Sequence, residues 1–333
     1  MTGSALPTIA TALAWAAERL ARAGCESPRL DAEILLAERL HASRAHLLAR
    51  DDDALPSDGW EQFRAWVARR EKREPVAYII GRREFYGLDF TVTPTVLIPR
   101  PETEHLVEEA LALARSHSSS LRAEALSAVK GQRSNLSDAP RLLRRSAPRN
   151  DSKNEGAGVF IADVGTGSGA IAVALAIHLP RARVCALDAS AEALAAAWRN
   201  ADRHNVLDRV CLLQSDLLEN LPQPADIIAA NLPYVSDAEW DSLTPEIRLY
   251  EPAMALRGGP DGLDAIRRLL GQSSAHLRPG GAILLEIGAG QAAYVRDIAL
   301  AVFPDAEIRV VQDYAGLDRV AVIQPHETTD ELR

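Results

Sequence analysis

Apolar residues recur at three- and four-residue spacing from residue 8 to about residue 72, a pattern that predicts helices. Thr8 stands where an N-cap belongs, and Ile9, Leu13, Ala16, Ala17 and Leu20 then share one face before Gly24 closes the helix. Leu30, Ile34, Leu35 and Leu40 mark a second helix. Ser43 and Ser57 are set to cap two more, the last carrying Trp60, Phe63, Trp66 and Val67 at helical spacing. A small bundle follows, with those rings in its core rather than offered to nucleic-acid bases.

From Glu84 to Ile98 the text changes to Phe85, Tyr86, Gly87, Leu88, Phe90, Val92 and Val96, aromatic and β-branched residues around a glycine turn. This predicts a β-hairpin linking two domains. Pro99 and Pro101 bracket Arg100, and a helical pattern resumes from Glu102 to Ala114. Residues 115–157 hold nine Ser, no aromatic residue, and nine basic against four acidic side chains, the composition of a disordered insertion. Its basic residues Arg141, Arg144, Arg145 and Arg149 read as a solvated stretch before they read as an RNA- or membrane-binding arm.

After residue 158 short apolar runs alternate with helical stretches. Val159 to Val164, Val184 to Leu187, Cys211 to Leu213, Ile227 to Ala230, Ala282 to Ile287 and Val320 to Ile323 are the predicted strands. The expectation is a doubly wound, Rossmann-like α/β sheet whose ligand sits at the carboxyl ends of the strands, where strand order reverses. The resulting organisation is a helical domain at 1–83, a hairpin linker at 84–100 and a sheet domain at 101–333.

Composition narrows the class. With 333 residues, 47% hydrophobic and 25% charged, the chain reads as an ordinary globular protein of about two domains. The net charge of −9 argues against a surface that tracks a polyanion, and removing the basic insertion leaves the remainder more acidic still. Cys25, Cys185 and Cys211 are far apart in sequence with no CxxC spacing, so neither a disulfide framework nor a zinc site is expected. No stretch reaches the roughly 18 apolar residues of a membrane span, and Glu18 and Arg19 follow no basic leader, so a cytoplasmic protein is expected.

The first strand of the sheet runs into Asp163-Val164-Gly165-Thr166-Gly167-Ser168-Gly169-Ala170. Such glycines let the chain turn from strand to helix and let a ligand approach the backbone. The second strand ends at Asp188, whose carboxylate suits both hydroxyls of a ribose. The third leads to Ser215 and Asp216, and Asp216 is placed to meet an adenine amino group. A nucleoside ligand is implied, but with Ala170 in last place the loop also fits the dinucleotide fingerprint G-x-G-x-x-A.

The fourth strand ends in Asn231-Leu232-Pro233-Tyr234. An amide or aromatic amine nitrogen is a poor nucleophile because its lone pair is delocalised, so a site that methylates it must hold the NH2 group in a chosen geometry. The side-chain carbonyl of Asn231 and the backbone carbonyl of Leu232 can each accept one N–H. Pro233 stiffens the loop, and Tyr234 offers a flat ring against a planar group with its hydroxyl free to reach solvent or a partner. Asn231, Pro233 and Tyr234 are therefore the candidate catalytic residues, with no dedicated general base among them. This tetrapeptide, with Asp163 two residues before the first glycine, favours S-adenosylmethionine as the cofactor.

Taken together, several segments resemble the PrmC/HemK family of protein-(glutamine-N5) methyltransferases, which modify peptide chain release factors. They are Arg73 to Gly81, Phe85-Tyr86-Gly87, Ile98-Pro99-Arg100-Pro101-Glu102-Thr103-Glu104, the loop Asp163 to Gly169, Asn231 to Tyr234, Tyr250-Glu251-Pro252 and Gly258 to Leu263. The resemblance implies a helical N-terminal domain that grips the release factor and a sheet that binds S-adenosylmethionine. It implies as substrate the glutamine of a Gly-Gly-Gln loop in class 1 release factors, and an enzyme that works as a monomer without stable nucleic-acid or membrane partners. It also implies cofactor contacts by Asp163, Gly165, Thr166, Gly167, Ser168, Gly169, Asp188, Asp216, Leu217 and Asn231, with Asn231, Leu232, Pro233 and Tyr234 binding the glutamine amide. Leu232 stands where the family usually has proline, which keeps the carbonyl but gives up rigidity. The Asn-Leu-Pro-Tyr spelling also occurs in enzymes resembling adenine dimethyltransferases of ribosomal RNA, so methylation of an adenine amine is the alternative. A nicotinamide-dependent oxidoreductase would leave the tetrapeptide without a role.

Overall fold

The computed structural model describes residues 6–117 and 158–326. Five helices open the chain: α1 (Ile9–Arg22), α2 (Pro28–Arg39), α3 (Arg44–Ala49), α4 (Ser57–Arg70) and α5 (Val76–Ile80). Thr8 caps α1 by accepting the Thr11 N–H, and Ser43 caps α3 by accepting that of His46. Ser57 is not a cap: it is the first helical residue of α4, and Pro56 occupies the cap position with its φ already fixed. On α2 the buried stripe is Ala32, Leu35 and Leu36, while Leu30 faces outward. Leu13, Leu20, Leu35, Leu36, Phe63 and Val67 form the centre of the bundle. Trp15 and Trp60 meet edge to face at 4.9 Å on its rim, so the aromatic residues are spent on packing.

The hairpin consists of β1 (Arg82–Phe85) and β2 (Leu88–Thr91), joined by Tyr86 and Gly87, both at positive φ as a tight type I′ connection requires. It starts two residues before the expected boundary, and residues 92–100 continue without strand structure. A 3-10 turn at Pro101–Thr103 leads into α6, helical over residues 104–117. That helix runs three residues into the segment assigned to the insertion. The remainder of the insertion, including the arginines at 141–149, lies outside the described residues.

The sheet has seven strands: β3 (Phe160–Val164), β4 (Arg183–Asp188), β5 (Val210–Gln214), β6 (Ala225–Ala230), β7 (Leu277–Glu286), β8 (Glu307–Gln312) and β9 (Asp318–Gln324), in the order β5-β4-β3-β6-β7-β9-β8. The first five run parallel, and β9 is antiparallel to both its neighbours. Apolar runs did not reveal β8, an edge strand that alternates polar and apolar residues. One face of the sheet, through Ile161, Val184, Ile227 and Leu284, packs on α7 (Ala170–His178) and on Phe85 and Phe90 of the hairpin. The other, through Val164, Leu187, Ile228 and Leu285, packs on α11 (Asp264–His276) and α12 (Ala292–Val302). All three cysteines are free thiols, yet Cys185 and Cys211, distant in sequence, stand opposite each other in the β4–β5 register.

Polar contacts add to this apolar packing in tying the helical bundle and hairpin to the sheet, two groups among them. Asn200 of α8 (Ala191–Arg203) donates to the carbonyls of Thr91 and Ser168 and accepts the Thr91 N–H. Glu246 of α10 (Pro245–Tyr250), which follows the one-turn α9 (Asp237–Trp240), takes ion pairs from Arg70 and Arg73 of the bundle, and Arg70 also pairs with buried Asp31. Burial alone would raise the Glu246 carboxyl, but hydrogen bonds from the two arginines hold it below its ordinary value.

Candidate active site

Strand order reverses at β3, where the chain has gone out to β4 and β5 and returns to β6 on the other side. A cleft opens there at the carboxyl ends, as the topology requires. Its walls include Gly165 and Gly167 after β3, Asp188 at the end of β4, Asp216 and Leu217 after β5, and Asn231, Leu232 and Pro233 after β6. Val96 and Leu97 of the segment after the hairpin, together with Pro252 and Met254, close its outer side.

The glycine loop turns through positive φ at Gly165, Gly167 and Gly169. A Cβ on Gly167 would approach nothing nearer than the Gly165 carbonyl at 3.9 Å, so this stretch of backbone is left open to the cleft. Gly169 has the opposite reason for lacking a side chain: a Cβ there would lie 3.1 Å from Ala197, which sets how closely α7 approaches α8. Asp163 is completely buried beneath the loop, where its Oδ2 accepts from the Thr166 hydroxyl at 2.6 Å and the Ala172 N–H at 3.0 Å. Burial pushes its carboxyl up to about 7. Asp163, Thr166, Ser168 and Gly169, expected to contact a ligand, sit on the inner side of the loop. They brace the loop from behind, with Thr166 and Ser168 themselves buried, while Gly165 and Gly167 face the cleft.

Asp188 accepts the Gly167 N–H through Oδ2 and the Ser190 N–H through Oδ1, both at 2.9 Å. Each oxygen keeps a lone pair, so the carboxylate can still take two hydroxyl groups. Burial raises its pKa against those hydrogen bonds. Asp216 lines the cleft, and its Oδ2 accepts from Arg268 at 2.5 Å. Leu217 holds φ +54°, a left-handed conformation unusual for leucine, and presents its apolar side chain to the cleft.

The tetrapeptide is held from three sides. Asn231 Nδ2 donates to Thr103 Oγ1 at 3.1 Å. Gln291 donates to the Tyr234 carbonyl at 3.0 Å while accepting the Gly288 N–H. The Gly258–Gly262 segment lies so close that a Cβ on Gly258 would fall 2.6 Å from the Pro233 carbonyl, and one on Gly262 2.2 Å from that of Tyr234. Of the two expected outlets for the Tyr234 hydroxyl, solvent or a partner, the structure shows the partner: it turns inward toward Glu286 Oε1 at 3.4 Å, at the end of β7. Glu286 is 2% exposed, and burial pushes its carboxyl up to about 7, opposed by the hydroxyls of Thr103 and Tyr234. Glu286 and Gln291 carry no motif that marks them in sequence, and Thr103 lies in the Ile98–Glu104 motif without any sign there of its contact with Asn231; proximity reveals these roles. Arg100 reaches Glu251, not the neighbouring Glu102 and Glu104, and Glu251 also accepts the Ile98 N–H, which anchors the segment carrying Thr103.

Comparison with known proteins gives the family. Family models described as the PrmC N-terminal domain and as a methyltransferase domain match residues 11–81 and 161–250. Release factor glutamine methyltransferases of Rhodopirellula baltica and Moorella thermoacetica are 38% and 41% identical to the chain, covering 95% and 94% of it and 96% of each relative. Among solved structures, the release-factor-specific protein-(glutamine-N5) methyltransferase of Alicyclobacillus acidocaldarius shares 26% identity at a TM-score of 0.37, covering 71% of this chain and 99% of that one. A methyltransferase from Pyrococcus furiosus shares 17% at a TM-score of 0.45, covering 78% and 96%. With identity of this level along nearly the whole of both partners, the chain belongs to the release factor glutamine methyltransferase family.

Proposed function

We propose that the cleft binds S-adenosylmethionine and directs methylation to the side-chain amide nitrogen (N5) of the glutamine in the Gly-Gly-Gln loop of class 1 peptide chain release factors. The cofactor fits the residues present: a glycine backbone lining the cleft at Gly165 and open at Gly167, a carboxylate with two free lone pairs at Asp188 and an apolar wall at Leu217. When bound it supplies an electrophilic methyl group on a sulfonium. The chain's part is orientation. Because Asn231 Nδ2 is engaged by Thr103, its Oδ1 is the acceptor left for an amide N–H, and this is the observation that carries the reading. The Leu232 carbonyl is the second acceptor, and together they turn the nitrogen lone pair out of conjugation toward the incoming methyl. Tyr234 supports the site from behind through its contact with Glu286. The helical domain, tied to the sheet by Glu246, supplies a second surface for the protein substrate.

The test is methyl transfer from labelled S-adenosylmethionine to a purified release factor, a Gly-Gly-Ala version of it, and ribosomal RNA. Label on the first alone is expected. Label on the Gly-Gly-Ala protein excludes the glutamine, and label on the RNA promotes the adenine-amine alternative.

A further inference from the structure

A leucine avoids left-handed backbone, because its Cβ then crowds the carbonyl that follows it. Leu217 nevertheless holds φ +54° where it lines the cleft, so its surroundings must keep it there. The loop's own hydrogen bonds close its ends: Asn220 donates its N–H to Ser215 Oγ at 3.0 Å and its Nδ2 to the Gln214 carbonyl at 2.8 Å. A longer bond, 3.3 Å, runs from the Glu219 N–H to the Asp216 carbonyl. The residues on either side of Leu217 are gripped from outside the loop. Arg268 of α11 donates to Asp216 Oδ2 at 2.5 Å, and Gln272, one turn further along the same helix, accepts the Leu218 N–H through Oε1 at 2.8 Å. We propose that Gln272, assisted by Arg268, is a positioning residue for the cofactor, holding Leu217 in the left-handed conformation that forms the apolar wall of the cleft. This rests on the reading of the cleft as an S-adenosylmethionine site given above.

Helical spacing brings the parts together. Ala265, Arg268 and Gln272 stand at i, i+3 and i+7, one stripe of α11, while Ile266, Leu269, Leu270 and Ser273 on the same helix are buried. Ala265 itself lines the cleft, so this stripe meets the ligand space with its first residue and the loop with the next two. The two grips differ in weight. Arg268 and Asp216 have side chains 54% and 50% exposed, and an ion pair so open to water contributes little. Leu218 is fully buried, and Gln272 is the partner of its N–H among the described residues. Without that acceptor a buried donor goes unpaired until the turn shifts to expose it. The same shift lets Leu217 leave its disfavoured conformation, and the wall is lost before any ligand arrives.

S-adenosylmethionine and the S-adenosylhomocysteine left after transfer share their adenosine and differ only at the sulfur. A wall set by Leu217 therefore governs the binding of both and leaves the methyl transfer itself alone. A protein whose loop is only fractionally in the competent conformation binds more weakly by the inverse of that fraction.

The test compares Gln272→Leu, which keeps bulk and removes the acceptor, with Gln272→Glu, which restores an acceptor oxygen, by calorimetry with each of the two ligands. Gln272→Leu is expected to weaken both by about five- to thirtyfold, the ratio by which a left-handed leucine is disfavoured. The kcat at saturating cofactor should not fall by more than about twofold, the KM for the release factor should stay within about twofold, and Gln272→Glu should recover most of the affinity. Wild-type affinity in Gln272→Leu overturns the proposal. So does an undiminished loss in a Leu217→Gly background, where glycine bears no left-handed penalty and the effect of Gln272→Leu should shrink to about twofold or less. Should Gln272→Leu fail to fold, hydrogen exchange of the Leu218 amide in the wild-type protein decides. Protection before any cofactor is added supports the proposal, and exchange at the rate of an unstructured amide overturns it. A wild-type protein that binds neither ligand fails the cofactor reading; a wild type that binds both, beside a Gln272→Leu that binds them as tightly, fails only the positioning role.

Discussion

Two carboxyls, Asp163 and Glu286, lie fully buried near the carboxyl ends of β3 and β7, and each has an oxygen without a hydrogen-bond partner among the described residues. Burial raises both to about 7, against ordinary values of 3.8 and 4.5, so the folded protein holds protons that the unfolded chain has already released. Their contribution to stability is complete below about pH 4 and is lost as pH rises toward 7. Replacing Glu286 by Gln should remove its share. Relative to the variant, the wild type should lose about 2–3 kcal/mol of unfolding free energy between pH 4 and pH 8, measured by urea denaturation. A second prediction concerns Asp188: Asp188→Ala removes the two acceptors proposed for the ribose hydroxyls, and calorimetry should show S-adenosylmethionine binding weakened at least about tenfold, or about 1.4 kcal/mol. Both Asp188 and Asn231 were legible from sequence, because each ends an apolar strand in a βα pattern. Thr103, Glu286 and Gln291 were not, since their meaning depends on which atoms of distant segments they meet. Nor was the inward turn of Tyr234, because a tyrosine on paper does not say which way its hydroxyl faces.

Among the elements, the parallel strands were readable because burial on both faces makes them continuous apolar runs such as Ile227-Ile228-Ala229-Ala230. Strand β8 escaped because Glu307, Arg309 and Gln312 interrupt Ile308, Val310 and Val311, the pattern of an edge strand covered on one side. The antiparallel direction of β9 leaves no trace in its composition. Helix α7 shows the reverse case: seven of its nine residues are buried, so it is apolar all round, and only the glycine loop before it distinguishes it from a strand. The segment from Gly258 to Gly262 packs against the tetrapeptide carbonyls. Gly262 sits at φ +78° with the Tyr234 carbonyl 2.2 Å from where a Cβ would be. Gly262→Ala should therefore displace Tyr234, lowering thermal stability by about 1–3 kcal/mol and turnover with it. Unchanged melting and turnover would show that the segment yields without disturbing the site.

At the scale of the molecule, bundle, hairpin and sheet form one connected body through few polar links. The pairing of Arg73 with Glu246 joins residues 173 positions apart, which no local pattern predicts. Arg70 is almost completely buried between Asp31 and Glu246, so losing one partner leaves it undercompensated. Glu246→Ala should cost about 2–3 kcal/mol and raise the susceptibility of residues 72–100 to limited proteolysis. An unaltered cleavage pattern would mean that the remaining contacts, such as those of Asn200 and Glu251, hold the domains without Glu246. The broad plan, a helical bundle, a hairpin and a nucleotide-type sheet, was visible in periodicity; the way these parts are fastened was not. In the proposed reaction Asn231 acts chiefly by orienting the amide nitrogen, its contact with the cofactor adding little affinity. Single-turnover methylation of a release factor by Asn231→Ala, with S-adenosylmethionine affinity measured on the same sample, tests it most directly. The rate should fall by about 10²–10³-fold with affinity within about twofold. A wild-type rate, or a loss explained entirely by weaker cofactor binding, would contradict it.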